Sequence, residues 1–171
     1  MLRKWYVRIR IVQAGHYKDA ARYKHKNTLL GTLVVVFSSV VGTSLFASLD
    51  EDATGTGSGS LQIALGLTSV AAAVLAALQT FLDYAAKSAK HLEAATKLSA
   101  LKKEIEKNLV LLAHDDTQLG VFITQAKSQW DAITSESPLV SDKAFATMFR
   151  KYGGDDQFLA AIDGEDKPLG Q

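Results

Sequence analysis

The chain contains no cysteine, only two prolines and, over two long stretches, no charged residue at all. The missing cysteine excludes disulfides, thiolate nucleophiles and cysteine-based metal sites. So few prolines, with few long polar loops, point to a mainly helical chain. Catalytic signatures are missing as well. His16, His25, His91 and His114 stand on separate segments without the spacing of a metal-ligating helix, and no serine has a G-x-S-x-G setting. Asp115 and Asp116 are adjacent, so they point apart instead of forming an acid–base pair on one helix face. No catalytic, cofactor-binding or metal-binding residue is nominated, and an enzyme is not expected.

What the chain does have is apolar length. With 171 residues and a net charge of +1 it would pass for one ordinary soluble domain, but its charges are segregated. Residues 29–49 and 61–82 contain no Asp, Glu, Lys or Arg. As helices each run is roughly 32 Å long, against a bilayer hydrocarbon core of roughly 30 Å. Two neighbouring runs above the ~18-residue threshold in so short a chain argue for membrane spans over the core helices of a soluble protein. The first run also exceeds the apolar core of a signal peptide, about 7–15 residues, so it reads as an uncleaved span. The expected fold is an all-α membrane protein: a two-helix transmembrane hairpin with an N-terminal basic helix and a cytosolic amphipathic helical C-terminal part. Its segments are 1–27 (basic, amphipathic, juxtamembrane), 28–84 (hairpin), 85–152 (cytosolic helices) and 153–171 (short tail).

The connection at 50–60 starts with Asp50, Glu51 and Asp52, has no base, and ends in a Gly/Ser stretch, the composition of a flexible linker. It lacks the preceding strand and the Gly-Lys-[Ser/Thr] ending of a phosphate cradle, and the alternating ligands of a calcium loop. Bases gather before the first span and again after the second, at Lys87, Lys90 and Lys97. The positive-inside rule then places both termini in the cytoplasm of a cell whose inner membrane is spanned twice, with the acidic loop outside.

Within the spans, small residues recur at helix-face spacing: Ser38 with Gly42, Ser39 with Thr43, and the stripe Ser69, Ala73, Ala77. Lipid offers helices no hydrophobic reason to associate, so small residues that permit close approach mark packing faces. Packing within the hairpin and packing between chains both remain open at this level. Hydroxyls can bond back to their own helix, whereas the glutamine side chain of Gln79 needs a neighbouring helix or water. Gln79 and Thr80 complete the candidate packing or pore-lining set. No ionisable residue lies mid-span, which argues against proton coupling and voltage sensing.

The first segment is basic: Arg3, Lys4, Arg8, Arg10, Lys18, Arg22, Lys24 and Lys26 stand against Asp19 alone. Beside a membrane span this favours anionic headgroups over nucleic acid. Leu2, Trp5, Ile9 and Val12 share one helical face suited to the interface, although Val7, Ile9 and Ile11 also alternate as in a short strand. Gly15 marks an expected bend. Beyond Asp83 the helix is expected to continue into water, carrying the seam Leu98, Leu101, Ile105, Leu109 and Leu112. That seam needs a partner, either a later helix of the same chain or a second chain, and its residues are the candidates for oligomerisation. A break around His114, with Asp116 or Thr117 as cap, leads to a helix at 118–133, a turn at 135–138, and a short helix from Ser141 or Asp142 to Tyr152, stopped by Gly153 and Gly154.

From Ala77 through Leu78, Gln79, Thr80, Phe81, Leu82 and Asp83 to Tyr84, then at Ala86, Ala89, His91, Ala95, Leu101 and Ile105, the chain resembles the SLATT domain. The basic stretch 22–26 fits as well, and the likeness covers roughly residues 14–112. SLATT domains are two-transmembrane effectors associated with SMODS nucleotidyltransferases and SLOG ligand-sensing domains in prokaryotic conflict systems. The resemblance implies a pore-forming effector in antiviral defence by abortive infection, a homo-oligomer in the lipid bilayer. Its trigger would be a nucleotide signal or a separately encoded nucleotidyltransferase or SLOG-type sensor. The alternatives are a non-conducting membrane anchor or scaffold that recruits a soluble partner, and a holin-like protein.

Overall fold

The computed structural model describes residues 2–51, 59–111 and 116–152. Among these the regular structure is entirely helical: α1 (Leu2–Glu51), α2 (Gly59–Leu82), α3 (Tyr84–Leu111), α4 (Asp116–Glu136) and α5 (Asp142–Tyr152). The Gly/Ser linker at 52–58, the break at 112–115 and the tail from Gly153 lie outside the described residues. The chain divides into two compact units, Tyr23–Ala86 and the combination of Met1–Arg22 with Lys87–Gln171.

The unit Tyr23–Ala86 is an antiparallel helical hairpin. Tyr23, Asn27, Leu30, Val34, Phe37 and Val41 of α1 are half-buried, and so are Leu65, Thr68, Ala72, Leu75, Gln79 and Leu82 of α2. Both sets alternate three and four residues apart, the period of a left-handed helical seam. The opposite faces carry large apolar side chains into open space: Leu67 is 68% exposed and Phe81 85%. Two helices are long and apolar enough to cross a membrane, and none of the most apolar window of either is buried. A soluble core helix would hide that surface, whereas lipid covers it at no cost. At one end of the hairpin Tyr23 and Tyr84 stack at 5.8 Å, with the Lys26 ammonium 5.1 Å above the Tyr84 ring. Amphipathic rings beside a cation suit the headgroup level.

Asp83 separates α2 from α3, with a positive φ of 40°. The expected continuous helix is therefore interrupted for one residue. Aspartate tolerates this left-handed conformation better than most side chains. Its N–H still donates to the Gln79 carbonyl at 3.3 Å, and its carboxylate accepts the Ala86 N–H at 3.2 Å, capping the next helix.

In the other unit, the early part of α1 packs with α3 and α4 around Ile9, Leu98, Leu101, Ile105, Phe122 and Ala126, bordered by Trp5, Val12, Trp130 and Ile133. Each fully buried Leu or Ile contributes about 1.5–3 kcal/mol of transfer free energy. Two expectations change here. The apolar face of residues 5–12 is helical, but it covers protein and not lipid headgroups: Ile9 is 0% exposed. The bend at Gly15 is absent, since α1 runs through it. A Cβ at Gly15 would lie 2.6 Å from Val140 Cγ1, so glycine serves the close approach of the α4–α5 connection.

Candidate functional site

The hairpin places its nominated polar and small residues on outward surfaces. Ser38, Ser39, Thr43, Ser69, Ala73, Ala77 and Thr80 are exposed, and Gly42 has open space where a Cβ would project. Several hydroxyls satisfy themselves on their own helix: Ser39 donates to the Val35 carbonyl at 2.8 Å, Thr43 to that of Ser39 at 2.9 Å, and Thr80 to that of Ala76 at 3.1 Å. The stripe Ser69, Ala73, Ala77 therefore lies off the intrachain seam. Gln79 differs. It is half-buried, and its amide nitrogen would be 3.5 Å from a Cβ at Gly31, so it crosses to α1 where that glycine leaves room.

The candidate oligomerisation seam has another fate. Leu98, Leu101 and Ile105 are buried, and the partner they need is supplied by α1 and α4 of the same chain. Side chains enclosed in this way cannot form a seam with a second copy while the unit keeps its fold. The side chain of Leu109 and the whole of Leu112 fall outside the described residues.

Polar chemistry that the linear pattern did not reveal is concentrated in the same unit. His16 of α1 and His91 of α3, 75 positions apart, bring their Nδ1 atoms to 3.0 Å, and both rings are buried. One Nδ1 must donate and the other accept, so the two rings cannot both be protonated at Nδ1. Burial lowers the His16 pKa to about 4, reinforced by His91 and opposed by the Asp19 carboxylate. Burial also lowers the pKa of His91, again against Asp19.

Asp19 is 2% exposed and reaches 122 positions along the chain. Its Oδ2 accepts the Ser141 backbone N–H at 2.7 Å, and its Oδ1 accepts the Ser141 hydroxyl at 2.7 Å. Ser141 in turn caps α5, its Oγ accepting the Ala144 N–H at 3.3 Å. A carboxylate, a cap and a helix N-terminus are thus aligned, the charge arrangement a helix dipole favours. The only sequence signal was a lone acid in a basic segment. Surface ties add less: Lys97 contacts Glu93 at 3.0 Å and Glu136 at 3.1 Å, holding α3 to α4. Those two carboxylates raise the Lys97 pKa.

Among the described residues no cluster of three or more potential metal ligands occurs. The hairpin offers lipid contact and an uncommitted small-residue face. The other unit offers a helical body whose buried polar groups join segments far apart in sequence.

Comparison with known proteins adds one match. The family model of the SMODS and SLOG-associating 2TM effector domain, family 4 (SLATT_4), matches residues 1–163. None of the curated proteins and none of the solved structures compared with the chain is similar enough to count as a match.

Proposed function

The chain belongs to this family of two-transmembrane effector domains, and on that premise we propose that it is a membrane effector of a prokaryotic anti-phage system that oligomerises and permeabilises the inner membrane when triggered. The observation that carries this reading is the outward small-residue face. Ser69, Ala73 and Ala77 are exposed while the hairpin closes through a different seam, so this face is left for a second copy to approach. Exposed hydroxyls at Ser38, Ser39, Thr43 and Thr80 would give an assembly a moderately polar lining without any buried charge. The Lys/Arg asymmetry supports both termini in the cytoplasm, where a separately encoded nucleotidyltransferase or SLOG-type sensor, or its nucleotide product, would act. No catalytic step by this chain enters the reading.

Dye leakage from vesicles containing the reconstituted full chain tests the proposal, alongside growth arrest on expression. Triggered wild-type protein releases dye, and Ala73→Leu inserts normally but loses most of the leakage because the added bulk separates the small faces. Wild-type protein that is inserted and oligomeric yet tight under every trigger overturns the pore reading and leaves the anchor.

A further inference from the structure

We infer that the unit formed by residues 1–22 and 87–171 binds a small single-ring hydroxyl compound, of the phenol class, in an apolar cavity beside His16. The cavity measures about 180 Å³. Val12 and His16, one turn apart on α1, line it together with Leu98 of α3 and Ile133 near the end of α4. The connection between α4 and α5 borders it through Pro138 and Val140. That connection is fixed at both ends. The Ser137 N–H and hydroxyl both donate to the Ile133 carbonyl, at 3.1 and 2.6 Å, and Ser141 is held by the Asp19 carboxylate at 2.7 Å. Pinned in this way, the connection is kept from sinking into the space, and the void persists inside an otherwise packed body.

The lining is mainly aliphatic, and its size sets the guest. An apolar cavity of about 150 Å³ admits one benzene molecule, so this one has room for a single ring with a substituent and not for two fused rings. A rigid ring also fills it without losing torsional freedom. Two hydroxyls in the lining are already spent as donors: Thr134 gives its proton to the Trp130 carbonyl at 2.8 Å, and Ser137 to that of Ile133. His16 differs. Its Nδ1 is held by His91 at 3.0 Å, which leaves Nε2 as the nitrogen it can offer. No buried side-chain nitrogen or oxygen among the described residues lacks a hydrogen bond, and Nε2 makes none with them, so it opens onto the cavity. Near neutral pH the ring is uncharged, because burial holds its pKa at about 4. Nε2 then accepts in one tautomer and donates in the other. A hydroxyl answers either tautomer, whereas a ketone only accepts. Thr134 and Leu139, both exposed, stand at the mouth. Leu139 is 93% exposed, and a ring seated beside it supplies the apolar surface that it lacks.

The cavity and its ligand are independent of the effector reading, and the test measures binding without conduction. In the full chain held in lipid nanodiscs and carrying isotope-labelled histidine, the His16 imidazole is the NMR reporter, assigned by the signals lost in His16→Leu. Phenol is expected to shift the His16 signals saturably, with its free concentration corrected for uptake by empty nanodiscs. Benzene, which lacks the hydroxyl, binds about tenfold more weakly. Naphthol, with two fused rings, gives no saturable shift. Thr134→Phe, at an exposed position on the rim, weakens phenol binding at least about tenfold by filling the mouth. Thr124→Phe leaves it unchanged: Thr124 is exposed on the same helix and makes the same kind of bond to its own backbone, at 3.2 Å, but lies outside the cavity. Absence of a saturable shift at His16 overturns the site. So does equal affinity for phenol and benzene, naphthol binding as tightly as phenol, or equal binding by the wild type and Thr134→Phe.

Discussion

The hairpin and the flanking unit (1–22 with 87–171) use the same residue types under opposite solvent rules. In the hairpin, Leu67, Val70 and Phe81 point outward, and the hydroxyls of Ser39, Thr43 and Thr80 bond to their own helix. In the flanking unit, Ile9, Leu101 and Ile105 point inward, and the buried polar groups pair across long sequence separations, His16 with His91 and Asp19 with Ser141. Lipid removes the penalty on exposed apolar surface and heightens the one on unpaired polar groups, so satisfaction becomes local. Water does the reverse, and there the core is assembled from distant segments. The contrast makes the hairpin readable helix by helix, whereas the flanking unit has meaning only as a set.

A charge placed in each region breaks the comparison most sharply. Ile105→Glu puts a carboxylate in a fully buried site and is expected to cost about 5 kcal/mol or more, unfolding the helices packed around it. Val74→Glu, on the exposed apolar face of α2, costs about 3 kcal/mol of membrane insertion. Limited proteolysis of the flanking unit and membrane fractionation should separate the two outcomes: the first variant stays inserted but becomes protease-sensitive, and the second reverses that pattern. For the same reason, charging the Leu101 and Ile105 seam reports on folding and not on assembly.

The next effect sharpens the long-range side of the contrast. Asp19→Ala removes both acceptors used by Ser141 and is expected to cost about 3 kcal/mol, with faster amide exchange along α5. Asp19→Asn keeps one acceptor and loses less. A hydroxyl deletion in the hairpin, such as Thr80→Ala, should leave exchange in α5 unchanged.

Acid provides the smallest test. Well above pH 6.5 His16 and His91 are neutral whether the unit is folded or not, so the pair adds no pH dependence there. Below that value the unfolded chain takes up protons that the buried pair resists, and stability falls until about pH 4, where folded His16 titrates too. The loss over this window is on the order of 2 kcal/mol and belongs to the pair, which Asp19 of α1 faces as well. Denaturant melts between pH 7 and 4 should show it, and His16→Leu should flatten the histidine part of that slope.

Much of this arrangement was legible in the residues. The two uncharged runs announced the hairpin, and the helix expected at 118–133 lies within α4, which starts at the cap candidate Asp116 and runs on to Glu136, into the turn expected at 135–138. The short helix opening after Ser141 was visible from its capping residue. The fate of the Leu98 seam was not, because a heptad-like face states that a partner is required without saying which helix provides it. Gly15 misled for a related reason: glycine is equally the residue of a bend and of a close approach, and only Val140 decides between them. Trp5 looked like an interfacial ring until Trp130, 125 positions later in the chain by their numbers, came to rest against it.

The sequence by itself determined the hairpin, since the length and uncharged character of a helix set its preference for lipid without reference to any neighbour. Family membership followed from the same string of residues. Tertiary structure alone decided what the flanking segments do: that residues 5–20 join α3 and α4 in a core, and that the small-residue face lies off the intrachain seam. Such outcomes depend on which surfaces meet, and pairwise burial across a hundred residues leaves no local period to read.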